Sequence, residues 1–121
     1  MIALPIVALL TAGVGLGLLL GLRYLRGLPR KPVMIGAHLL LGAGTLEQIA
    51  VLLHGTPSGD VIADQMLGRV ALVLIAGALL FGLCAPLLSR QSRRGAEALL
   101  VGHASLGALG FAALIAWTFS L

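Results

Sequence analysis

Charge is scarce in this chain: 10% of its 121 residues are Asp, Glu, Lys or Arg, and asparagine does not occur. A soluble domain carries about 25% charged residues, so the composition excludes an ordinary water-exposed globule. Cysteine is nearly missing as well. Cys84 stands alone, which rules out an internal disulfide and any CxxC metal or c-type haem attachment. Nor does the chain show a catalytic nucleophile, a general base or a phosphate-cradling loop, so nothing points to an independent enzyme. The length suits one domain.

What the chain does have is apolar, at 60% hydrophobic residues. A membrane-crossing helix needs about 20 mostly apolar residues, and four stretches qualify, at roughly 2–22, 33–54, 67–88 and 98–120. The first could pass for a signal peptide. It lacks a basic segment ahead of it and its apolar run is too long, so it reads as an anchor. Seven of the eight basic residues fall in two connections, Arg23, Arg26, Arg30 and Lys31 in one and Arg90, Arg93 and Arg94 in the other. The connection "HGTPSGD" between spans two and three has none. Basic residues between apolar runs are topology signals and not a nucleic-acid patch. By the positive-inside rule both basic loops face the cytoplasm and both termini face out, as in a bacterial inner-membrane protein. The expected fold is all-α: a transmembrane four-helix bundle made of two tandem hairpins, at about 2–54 and 67–120.

The hairpins look like copies of each other. "GAHLLLGAG" at 36–44 returns as "GHASLGALG" at 102–110, each with a histidine four residues ahead of a glycine. Aligning Val7 with Val70 and His38 with His103 gives the same order twice: apolar helix, basic loop, second helix with H-x-x-L-G. A parallel repeat of this kind has its pseudo-two-fold axis along the membrane normal, which sets His38 and His103 at equal depth about a shared centre. His38 lies seven residues beyond Lys31, about 10 Å along a helix. Met34, Leu41, Gly42, Thr45 and Ile49 share its face, and Leu99, Leu106, Gly107, Gly110 and Leu114 share that of His103. Gly13, Gly17 and Gly21 form a ridge on the first helix, and Gly77 and Gly82 thin the third. Two histidines between glycine walls describe a slot for a planar macrocycle. The expected lining is Gly17, Gly21, Gly42, Gly82 and Gly107. Haem fits it, since imidazole is a standard axial ligand of haem iron, and Arg23, Arg30 and Arg90 at the rim suit its propionates.

In layout the chain resembles the small membrane-bound b-type cytochromes, four-helix bundles that hold haem between histidines on two helices. The resemblance covers all four spans and rests on architecture. It implies one haem b ligated by His38 and His103, and a role in electron transfer, with a possible quinone, beside other membrane subunits or further copies of the chain. The chain departs from the cytochrome b561 pattern of two histidine pairs, because the outer half offers only His54. Bacteriochlorophyll, one magnesium per histidine, is the less favoured pigment. Two other readings compete: a cofactor-free accessory subunit, and a small transporter prompted by Glu47. The chain is similar in size to small multidrug transporters, whose carboxylate lies in the first helix, and to fluoride channels, whose pattern the missing asparagines do not match.

Outside the histidine pair, Glu47 and Arg69 are expected at nearly equal depth on antiparallel neighbours, joined as an ion pair. Glu47 lies nine residues after His38 and therefore points about 180° away from it. Cys84 reads as a small packing residue, His54 as an interfacial loop residue, and Trp117 as an interfacial anchor.

Overall fold

The computed structural model describes residues 3–55 and 65–120. They form four helices, α1 (Ala3–Leu25), α2 (Pro32–Gly55), α3 (Gln65–Leu88) and α4 (Arg93–Ser120), and no strand. All four are long and apolar enough to cross a membrane. The connection at 56–64, which contains most of "HGTPSGD", lies outside the described residues. The fourth helix starts five residues before its expected apolar span, because charge does not stop a helix that a good cap has started. Ser92 supplies the cap: its Oγ accepts the Gly95 N–H at 3.1 Å, satisfying one of the first-turn donors.

The first connection is closed by backbone chemistry. Gly27 has φ of 64°, the Gly27 N–H bonds to the Tyr24 carbonyl at 3.0 Å, and the Leu28 N–H to that of Arg23 at 2.9 Å. This pair of bonds is the Schellman stop, which needs a left-handed residue that glycine supplies without strain. Pro32 then opens α2, at the one helical position where its missing N–H costs nothing. Pro86 sits in the last turn of α3, and Ser89 Oγ donates to its carbonyl at 2.7 Å.

The helices pack in ring order, α1 against α2, α2 against α3, α3 against α4 and α4 against α1, with α3 and α4 closest. No Cα of α1 comes within 8 Å of α3, nor any of α2 within 8 Å of α4. The histidine-bearing helices are therefore diagonal, the relation expected of a pseudo-two-fold along the bundle. The register of the repeat differs from the sequence alignment. Equivalent positions stand 65 apart along both helices, so Val7 corresponds to Leu72 and not to Val70. The structural ground for this register is given with the histidines below.

The core is lopsided. Ile6, Leu10, Ile49, Ala71, Ile75, Leu114 and Trp117 form one buried cluster, all at the end of the bundle that holds the chain termini. Toward the two basic loops, the buried apolar side chains are Ala78, Ala85 and Ala96, while Leu18, Leu22, Leu25 and Leu87 face outward. Trp117 is part of this core at 4% exposure, not an interfacial anchor. Its indole lies over Gly68, where a Cβ would stand 2.8 Å from Trp117 Cε2 and 2.9 Å from Leu53 Cδ2. Cys84, expected as packing, faces outward. Gly68→Ala is accordingly expected to lower stability by about 1–3 kcal/mol, the usual cost of overpacking a filled core, measured as an earlier unfolding midpoint in detergent.

Candidate cofactor site

The two histidines meet at the centre of the bundle. Their ring centres are 5.7 Å apart with the planes at 80°, although the helices that carry them do not touch. His38 comes from α2 and His103 from α4, each half-buried. Each is held by its own hairpin partner. His38 Nδ1 donates to the Gly13 carbonyl at 2.9 Å, and His103 Nδ1 to the Ala78 carbonyl at 2.7 Å. A carbonyl oxygen can only accept, so in both rings Nδ1 carries the proton and Nε2 keeps its lone pair.

The glycines explain how each ring reaches a carbonyl already used by its helix. In an α-helix the side chain at i+4 stands beside the carbonyl of residue i. Here that position is Gly17 below Gly13 and Gly82 below Ala78. A Cβ at Gly17 would lie 2.8 Å from His38 Cε1, and one at Gly82 would lie 2.8 Å from His103 Nδ1. Both imidazoles fill the space their glycine leaves empty. The spacings repeat without change: acceptor to histidine spans 25 residues in each half, and glycine to histidine spans 21. These contacts set the 65-residue register. Gly13 matches Ala78, Gly17 matches Gly82, and Gly42 matches Gly107. This regularity could have been found in the sequence by sliding the halves against each other with the histidines fixed.

The expected lining residues therefore divide. Gly17 and Gly82 seat the rings themselves. Gly42 has Leu79 Cδ1 at 3.7 Å from its Cβ position, and Gly21 and Gly107 have nothing within 4 Å. Thr45, two turns from His38 on the same face, is fully buried and donates to the Leu41 carbonyl at 2.8 Å. At the loop end, Arg30 and Arg90 are exposed. Arg23 turns back onto its own loop: its Nη2 donates to the Pro29 carbonyl at 2.9 Å, while its Nε is buried with no partner. His54 sits in the last turn of α2, where its Nδ1 donates to the Ala50 carbonyl at 2.8 Å, well away from the pair.

The expected Glu47–Arg69 ion pair is not formed. Both side chains are exposed, and the salt bridge among the described residues is Arg93–Glu97 at 3.0 Å, between turns of one helix at the surface. The reason is register. Gly42 lies level with Leu79 and Gly68 with Leu53, so Glu47 lies level with Leu74 and Arg69 with Leu52. That five-residue offset is about 7.5 Å. Each side chain also leans toward the N-terminus of its own helix, and on antiparallel helices these leanings diverge. Counting inward from the connecting loop missed the stagger.

No protein-family model matches the chain, and no curated protein or solved structure matches it either.

Proposed function

We propose that the chain is a membrane-embedded b-type cytochrome holding one haem b between His38 and His103, as an electron-transfer or quinone-linked subunit of a larger complex. One observation carries this reading: imidazoles from diagonal helices converge to 5.7 Å, each with Nδ1 anchored and Nε2 free. Metal-binding histidines characteristically donate their second ring nitrogen to a carbonyl or carboxylate, which fixes tautomer and orientation. Two imidazoles on opposite faces of one metal, at about 2 Å each, put their ring centres roughly 6 Å apart. Crossed ring planes are compatible with this, since each ring can turn about its own metal–nitrogen axis without changing that distance.

The donor set favours a macrocycle over a bare ion. A structural metal site usually needs about four protein ligands, and the described residues contain no group of three or more His, Cys, Asp or Glu that could hold one. Haem brings four nitrogens of its own and asks the protein for two. A spacing of 5.7 Å between the rings matches a single metal held by both imidazoles, which favours one haem over a pair of bacteriochlorophylls. The bulky core lies toward the chain termini, and Gly107, one turn beyond His103, has nothing within 4 Å of its Cβ position. Arg23, whose Nε has no partner, would offer a donor to a propionate at the loop end of α1. When bound, the haem supplies reversible one-electron chemistry at iron. His38 and His103 would hold it through their Nε2 atoms, as two nitrogen ligands suited to electron transfer more than to oxygen chemistry. In this reading the basic loops face the cytoplasm and the termini face out.

A cofactor-free accessory subunit is the second reading, favoured because each Nδ1 already has a partner in its own hairpin. An absorption spectrum of protein purified from a haem-sufficient host separates the two. A Soret band with low-spin α and β bands is expected, and a colourless, well-folded protein would leave the accessory reading standing.

A further inference from the structure

The face of α2 turned away from the histidines is not uniformly apolar. Leu40 and Val51 are 74% and 58% exposed, and Glu47, Gln48 and His54 are exposed beside them. Gly44 has nothing within 4 Å of its Cβ position. Leu40, Gly44, Glu47, Val51 and His54 follow one another at spacings of four, three, four and three, the seam of a left-handed helix pair. Glu47 lies eight residues inside the end of α2, about 12 Å along the axis. It has no ion-pair partner among the described residues, and ionisable groups at such depth seldom face lipid. Two other outward polar groups are accounted for. Ser105 Oγ donates to the Val101 carbonyl of its own helix at 2.8 Å, and Arg69, four residues from the start of α3, can reach the headgroups with its long stem.

We infer that this seam is covered by a second copy of the chain, α2 lying parallel to α2 about a two-fold axis normal to the membrane. A two-fold interface must be complementary to itself, and neighbouring Glu47 and Gln48 are. The Gln48 amide donates to the carboxyl oxygen of Glu47 of the second copy, and symmetry makes the same bond again in the other direction. Gly44, one turn away, permits the close backbone approach that such bonds between membrane helices require. His54 ends the seam at the membrane surface. The arrangement leaves the histidine pair untouched, because Glu47 points directly away from His38. It is therefore independent of haem binding.

Oxidative cross-linking of the purified chain in lipid nanodiscs or vesicles tests this. In a Cys84→Ala background, Val51→Cys places a thiol on the seam, while Leu109→Cys places one on the lipid face of α4 (59% exposed). Disulfide-linked dimer is expected from the first and not the second. Adding Glu47→Leu and Gln48→Leu should reduce dimer by about tenfold, the scale of hydrogen bonds between membrane helices, with helical circular dichroism unchanged. Dimer formed equally through Leu109→Cys, or a chain that stays monomeric through Val51→Cys, would overturn the proposal. A dimer indifferent to the two leucines would overturn it as well.

Discussion

Alanine in place of His38 or His103 is expected to abolish the haem spectrum, each alone and each completely. The two histidines supply both protein ligands in the proposed site, and no third His, Cys, Asp or Glu joins them among the described residues. Even a partner that merely orients a metal ligand is worth about 10–100-fold in affinity, so removing the ligand itself should exceed that range. The same substitutions also break one hairpin hydrogen bond, with a net contribution of about 1 kcal/mol. The chain should thus remain helical and membrane-inserted while losing its colour. His54→Ala serves as the control, because its imidazole is committed to the Ala50 carbonyl at the far end of α2. Pigment retained by both single variants would refute bis-histidine ligation. A small loss of stability with no pigment in any variant would leave the imidazoles as hairpin clasps.

Valine at Gly17 or Gly82 should have the next largest effect. The new Cβ would stand 2.8 Å from a ring atom in either case, so the imidazole has to leave its seat and its Nδ1 loses the carbonyl of Gly13 or Ala78. The helix backbone does not require glycine at either position, since neither has a positive φ; what the glycine supplies is space. Haem affinity should fall by about 10–100-fold, as for lost outer partners of metal ligands, with the remaining pigment shifted in potential because ligand basicity falls. Gly107→Leu discriminates further. Nothing lies within 4 Å of its Cβ position, so the haem-free protein should tolerate it, while retention of the macrocycle drops. Equal retention in Gly107→Leu and the unaltered chain would mean that the ring does not occupy that space.

Much of the molecule was legible in the residues alone. Sparse charge and four long apolar runs determined four membrane-length helices, because a backbone in hydrocarbon must satisfy its own hydrogen bonds and a helix does so within one segment. The repeated H-x-x-L-G determined that the imidazoles would share a level. It also placed Thr45 and Ile49 on the face of His38, and both are fully buried. Other features depended on how the helices stand against one another, which one-dimensional counting does not contain. The stagger of α2 against α3 separates Glu47 from Arg69, although each lies a similar count from the connecting loop. The absent side chain at Gly68 draws Trp117 into the core, where position near a helix end suggested an interfacial anchor. The roles of Gly17 and Gly82 were likewise decided by packing. Sequence could mark them as small, but only the approach of a histidine 21 residues onward shows that each exposes a carbonyl to that ring. Apolar pattern sets which segments are helices, because that is local and driven by solvent. Side-chain volume at helix crossings sets their register, and only the assembled bundle determines it.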